Sequence, residues 1–422
     1  MFKSRAFILG LILNIGLASG LVAQPELPCD MYVRSAKIYL GQKPPDLESA
    51  LKNLLSAPEK CKKTGEIDYI IGLIYADMNI YDKMIQFFNL AKTKQLDQTS
   101  KLKIDSVLVG KWGEVFKKGA EFLEKADHAS ALKHFETAIM IDSSRFEAYI
   151  NAGIGALNLN DSTKAEFLFE KAYKVAPDNL NAKTNYATFL LNRQKFKEAT
   201  GVLEEVVKMD PKNKEALLNL AMCYSVLGEN EKSLTSYKSA TVLLEERQKA
   251  DPKNKDILID LAMCYSRLGE NQKSLAIYDT AVALGLGDKD LYFNRGLLKL
   301  TQAQEMTKKI IQVRDSMLAK PNDKALVEKS NQLIAEQKKI FGSAEPDFKK
   351  VVEMDSTDKE GWFQLGFVEW QLEKPAEARN ALERVTKLHP ESKETWELLT
   401  LVYTKLGMKK EAESAAQKAK SL

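Results

Sequence analysis

The chain has 422 residues, 45% hydrophobic and 28% charged, which are globular proportions and exclude a wholly disordered protein. Its 62 Lys and Arg against 58 Asp and Glu leave a net charge of only +4, which argues against a basic nucleic-acid binder. Three histidines without partners at ligand spacing argue against a His-rich metal site, and the low counts of Gly (21) and Pro (12) favour helix over strand.

Lys3 and Arg5 precede an apolar run from Ala6 to Ala23 that carries the small residues Ala18, Ser19, Gly20 and Ala23. This is the layout of a secretory signal peptide over residues 1–23, cut after Ala23. The alternative is an uncleaved anchor, for which the run is at the short limit and is interrupted by Asn14. Either reading exports the rest of the chain, to the periplasm, the cell envelope or the medium. A membrane contact is expected only through this segment, if it is kept. Export permits disulfides. Helical patterns over 31–41 and 46–57 predict an antiparallel hairpin whose ends lie side by side, so a Cys29–Cys61 bond is expected.

Downstream, the chain repeats itself. Asp210–Ala240 and Asp251–Ala281 are identical at most positions at an offset of 41, and a fainter pattern recurs at 34. Small residues sit at Gly119, Gly153, Ala187, Ala221, Ala262, Gly296 and Gly366. Twelve residues after most of them comes a second small residue, at Ala131, Ala165, Ala199, Ser233, Ser274 and Ala378. Four further on stands a bulky one: Phe135, Phe169, Leu203, Tyr237, Tyr278 or Leu382. Apolar spacings of three and four within each half predict paired helices. The small residues allow close approach, and Pro177, Pro211, Pro252 and Pro390 close the second helix. A pair this small cannot bury its own face, so neighbours must stack into a solenoid.

These residues resemble the tetratricopeptide repeat (TPR) family, with registers starting at Trp112, Phe146, Leu180, Lys214, Lys255, Lys289, Lys359 and Lys393 and a weaker unit near Gly65. The resemblance implies an all-α, right-handed superhelical solenoid. On this reading residues 24–110 form the N-terminal hairpin and degenerate units, 111–288 the main array, 289–358 a unit carrying a long insertion, and 359–422 the C-terminal units. Cys223 and Cys264 take equivalent places in adjacent units, too far apart to bond, and read as small buried core residues.

Two insertions break the period. Seven residues around Leu243–Lys249 amount to about two helical turns, so the second helix lengthens without rotating its buried face. About 36 residues between Lys299 and Ala344 carry Met306, Ile310, Val313 and Met317 on one arm and Leu326, Leu333 and Ile340 on the other. Turn chemistry lies between them at Lys320–Asp323. This predicts a protruding antiparallel helical hairpin over about 301–340, of about 27 Å at 1.5 Å per residue.

No phosphate loop, metalloprotease motif, CxxC or nucleophile elbow is found, and His134 reads as an exposed helix residue. No catalytic residue, metal or cofactor is expected. Binding residues are sought on the first helix of each pair, the concave face of such solenoids. Asn151, Asn185, Asn219, Asp260 and Asn294 all stand two residues before the small residue of their unit. Stacking would align them as a ladder of amides able to pair with a peptide backbone, similar to the ladder in the TPR array of O-linked N-acetylglucosamine transferases. Asp260 and Gln364 depart from that pattern, and a structural reason for Asn at this place is the alternative. The family's carboxylate clamp is not expected, because apolar residues such as Phe116, Ile259, Phe293 and Phe363 replace its basic positions. With Phe367 and Trp370 these make an apolar groove suited to helices or hydrophobic segments. The expected function is a non-catalytic scaffold for a protein or peptide partner. The alternatives are a structural or assembly component acting through the hairpin and lateral surface, or an accessory subunit of a surface carbohydrate enzyme.

Overall fold

The structure, a computed structural model, describes residues 27–320 and 323–422. The signal segment expected at 1–23 lies outside the described residues. Backbone contacts divide the chain into two compact units, one ending at Ala182 and one running from Lys183 to Leu422. Among the described residues there are twenty α-helices, one short 3₁₀ segment and no strand beyond an isolated bridge between Thr64 and Gln95. None of these helices is long and apolar enough to cross a membrane.

The first unit opens with α1 (Cys29–Leu40), α2 (Leu47–Leu55) and a 3₁₀ segment, Glu59–Lys63. Cys29 and Cys61 are bonded across this hairpin, with Cα atoms 5.1 Å apart. Then come α3 (Glu66–Asp77), α4 (Tyr81–Thr93), α5 (Gln98–Glu124), α6 (His128–Ile141), α7 (Phe146–Asn158) and α8 (Ser162–Val175). Helix α5 is continuous for 27 residues, so the chain does not break at 110, where the sequence reading drew a boundary. Gly110 and Gly113 sit in open space and nothing opposes helix through them.

Helix α9 (Leu180–Asn192) contains the division between the units. The second unit continues with α10 (Phe196–Met209), α11 (Lys214–Val226), α12 (Asn230–Ala250), α13 (Lys255–Arg267) and α14 (Asn271–Ala283). It ends with α15 (Lys289–Ala319), α16 (Lys324–Met354), α17 (Lys359–Gln371), α18 (Pro375–Leu388), α19 (Lys393–Lys405) and α20 (Lys409–Ser421). Within each unit the helices pair and stack as an all-α solenoid, most of them packing on their neighbours in sequence.

Three local devices recur. First helices start behind side-chain caps: Asn213 accepts from the Ala216 amide, Asn254 from Ile257 and Asp358 from Gly361. They end in a left-handed residue, with φ between 57° and 77° at Ala126, Asn160, Gln194, Gly228, Gly269, Glu373 and Gly407. Between the helices, small meets bulky. A methyl group on Gly119 would come within 2.8 Å of the Phe135 ring, and one on Gly366 within 2.7 Å of Leu382.

Both insertions are helical. Helix α12 has 21 residues where α10 has 14, and Leu243 and Leu244 in its extra turns stay buried. Helices α15 and α16 have 31 residues each and form the hairpin, sealed by Ala303, Met306, Ile310 and Val313 on one arm and by Ser330 with half-buried neighbours on the other. The repeat resumes at its far end. Gly296 faces Phe348 (2.7 Å to an added methyl), so Ala344 and Phe348 supply the small and bulky positions that the insertion displaced. A buried ionic cluster ties this root: Asp347, 1% exposed, accepts two hydrogen bonds from Arg295 Nε and Nη2 and a third from Lys299 Nζ at 2.7 Å. Lys299 also donates to the Ser343 carbonyl, and Arg295 to Asp279 on α14.

Candidate functional site

The inner face of the second unit is built from equivalent positions of α11, α13, α15, α17 and α19. Capping at Asn213, Asn254 and Asp358 fixes where each helix starts, and helical periodicity then turns the same positions inward. Three clefts lie along this face. One of about 350 Å³ between α11 and α13 is lined by Leu218, Asn219, Ile259, Asp260 and the charged Lys214 and Glu215. The next, about 290 Å³ between α13 and α15, is lined by Ile259, Met263, Tyr278, Asn294 and Leu297. Ile259 belongs to both, so they adjoin. A third, about 310 Å³ between α17 and α19, holds Lys359, Phe363, Gln364, His389 and Thr395.

The structure thus brings Asn219, Asp260 and Asn294 to one run of clefts. Asp260 is not an open rung, because Lys214 donates to its carboxylate at 2.7 Å. Burial pulls the Lys214 ammonium down, but the Asp260 and Glu215 carboxylates outweigh it and hold it above its ordinary value. Asn185 lies half-buried on α9. Asn151 belongs to the first unit, where its amide nitrogen donates to the Glu147 carbonyl one turn back.

The aromatic positions divide. Phe363 lines the third cleft. Phe293 is half-buried with its ring edge-on to Phe348 at 6.0 Å, and Phe367 meets Phe341 the same way at 6.2 Å. Trp370 packs on the cluster of Leu382, Leu399 and Tyr403. Phe293, Phe367 and Trp370 therefore spend much of their surface in packing between helices. The most exposed large apolar residues on this face are Met222 and Val226 of α11 and Leu401 of α19.

His134 is half-buried rather than exposed, with Nδ1 2.8 Å from the Ser130 carbonyl and its ring against Phe122. No cluster of three or more potential metal ligands occurs among the described residues. Cys223 and Cys264 are free and fully buried, and burial pushes the Cys264 thiol up to about 11, which makes it inert.

Sequence reasoning did not find the ion pairs between successive units. Lys214 reaches Asp260, Lys255 reaches Asp288, and Lys289 reaches both Asp355 and Asp358. Their only trace in the sequence is a Lys at the first position of each of these helices. The Arg295–Lys299–Asp347 cluster left no such trace, since Asp347 stands 52 positions from Arg295 and 48 from Lys299.

A family described as the cilia and flagella-associated protein 70 middle TPR-like domain matches residues 159–285, and one described as tetratricopeptide repeat matches 359–402. Among solved structures, the chain is similar to a tetratricopeptide repeat protein from Parabacteroides merdae, with 15% identity over 69% of this chain and 99% of that one and a TM-score of 0.47. It is also similar to PilW, described as a widely conserved type IV pilus biogenesis factor, with 19% identity over 57% of this chain and 92% of that one and a TM-score of 0.42. A third is YrrB, described as a TPR protein with an unusual peptide-binding site, with 21% identity over 40% and 84% and a TM-score of 0.32. Two stretches of the chain, 159–285 and 359–402, thus match TPR families, and its helix pairs stack through recurrent small–bulky contacts.

Proposed function

We propose that this protein is a non-catalytic scaffold of the cell envelope that holds a peptide segment of a partner protein along the inner face of α11, α13 and α15. The observation that carries this reading is the pair of adjoining clefts that combine apolar walls (Leu218, Ile259, Met263, Leu297) with the amides of Asn219 and Asn294. Amides can both donate to and accept from a peptide backbone, whereas the paired Asp260 carboxylate accepts only. Such a surface selects an extended or helical segment by shape and apolar anchors more than by charge. The envelope location is supported by the N-terminal apolar run and by the Cys29–Cys61 bond, which suits an oxidising compartment.

The test begins with a pull-down on the purified protein, identification of the partner segment by mass spectrometry, and calorimetry with the corresponding peptide. Each amide pair contributes about 0.5–1.5 kcal/mol net, so Asn219→Ala with Asn294→Ala should weaken binding roughly fivefold to 150-fold. Unchanged affinity in a folded double variant would remove the amides from the site.

A further inference from the structure

Outside the groove, the hairpin of α15 and α16 has one face that its own packing does not use. Its two arms are held in register by Gln337, whose Nε2 donates to the Ala303 carbonyl and to Thr307 Oγ1, and by Lys299 donating to the Ser343 carbonyl. Beyond the root, Ile311 (51% exposed) and Leu318 (81%) on α15 are seven residues apart, as are Val327 (39%) and Ile334 (37%) on α16. The seam residues Met306, Ile310 and Val313 fix the α15 wheel, and Leu326, Ser330 and Leu333 that of α16. On those wheels all four exposed residues fall to the same side of the two-helix ribbon. Carrying the register outward puts Ile334 level with Lys308, Ile311 with Asn331, Val327 with Asp315 and Leu318 with Lys324. The apolar side chains therefore alternate between arms at steps of three, four and three residues, the spacing that a helix lying in the groove between the arms would present. The same side carries the exposed Arg314 and Lys324, with Asp315 at the outer edge of the ridge and Lys338 paired to Glu373 at 3.4 Å, while the opposite side is mixed in charge, with Glu305, Lys309, Lys329 and Glu336, and has no exposed large apolar residue.

We propose that this face of the hairpin docks an amphipathic helix of a partner protein, with apolar residues at three–four spacing and acidic residues on its flanks, as the third helix of a local bundle. Charge decides the occupant. A second copy of this chain would set Arg314 and Lys324 against their own kind, whereas acidic flanks pair with them. A lipid surface would ask for one broad apolar face, and the ridge is four side chains staggered between two arms with Asn331 and Thr307 among them. The site is separate from the inner-face clefts and does not depend on them.

The probe is a labelled synthetic helix of about three heptads with Leu at the three–four positions and Glu on the flanks, beside a scrambled peptide of the same composition. Fluorescence anisotropy on the full protein should give micromolar binding that weakens with salt. The triple variant Ile311→Ser, Val327→Ser, Ile334→Ser should lose at least about tenfold, as should Arg314→Glu with Lys324→Glu, while Asn219→Ala with Asn294→Ala should leave the affinity unchanged. Circular dichroism checks each fold. Leu318→Ser stands in for any variant that loses helix, because its side chain touches no core. The proposal is overturned if the helix does not bind, if the scrambled peptide binds equally, or if the hairpin variants bind as well as the parent. Two further results overturn it in favour of another occupant: co-sedimentation with phosphatidylglycerol vesicles lost in the triple variant while peptide binding persists, or a dimer that the triple variant abolishes.

Discussion

Glu369, on α17 beneath the hairpin root, is 4% exposed, and its Oε2 has no hydrogen-bond partner among the described residues. Burial raises its carboxyl to about 7, and the nearby Lys349 and Lys374 do not offset burial plus the repulsion of Glu345 and Glu377. An unfolded chain releases this proton near the ordinary value of 4.5. A raised carboxylate favours the fold while protonated, so its contribution is lost as pH climbs from about 4.5 to about 7 and is flat above. A shift of this size corresponds to about 3 kcal/mol. Glu369→Gln should be more stable than the parent by about 2–3 kcal/mol at alkaline pH and nearly equal to it at about pH 5, read from urea midpoints at both. Equal midpoints at alkaline pH would show that the charge is relieved by water. Nothing in the sequence distinguished Glu369 from the many surface glutamates, since its burial depends on how α16, α17 and α18 meet. The small–bulky pairs were legible for the opposite reason. Gly119 with Phe135 and Gly366 with Leu382 stand at fixed spacing within one unit, where local sequence and local geometry coincide.

At the scale of elements, both insertions could be read because they conserve helical phase. The seven residues in α12 and the eighteen in each hairpin arm come close to whole numbers of turns, so buried faces stay aligned with their neighbours. The groove was legible only in outline, because the sequence gives which positions share a face and not which of them a neighbouring helix covers. Hence Phe293 and Phe367 stand in packing, and Lys214 closes the Asp260 rung. The hairpin should be dispensable to the solenoid, since its outer seam packs only arm on arm while Gly296, Ala344 and Phe348 carry the repeat contacts. Deleting Thr301–Glu336, with Lys339→Gly to fit the left-handed turn it would then occupy, should cost less than about 2 kcal/mol and keep a cooperative helical melt. Loss of helical signal would show that the arms support the core. Asp347→Ala tests the root instead. It leaves Arg295 and Lys299 buried without their anion and should cost about 3–5 kcal/mol in the same melt, and a loss below about 1 kcal/mol would mean that water replaces the carboxylate.

For the whole molecule, two compact units imply that stability is not one number. The Cys29–Cys61 bond closes a separation of 32 residues, worth about 3–4 kcal/mol in the chain-entropy model, and all of that acts in the first unit. Reduction, or Cys29→Ser with Cys61→Ser, should speed amide exchange in α1 to α3 and leave α11 to α20 as protected as before. Faster exchange spread evenly over both units would show that they melt together. Stacked repeats pass stability between nearest neighbours, so the effect should fade along the first unit.

The near-identity of 210–240 and 251–281 reaches beyond sequence. Tyr224 donates to Glu204 and Tyr265 to Glu245, Ser233 to the Ala221 carbonyl and Ser274 to that of Ala262. The two copies offer their neighbours the same upstream and downstream faces, joined by a helix already long enough to bridge them. A gene carrying this segment holds a spare part. Unequal exchange between the copies would remove or add 41 residues in frame, and the product would still meet matching surfaces at both cuts. The length of the inner face is thus heritable in whole steps, so a lineage can fit its scaffold to a longer or shorter partner without inventing a new fold.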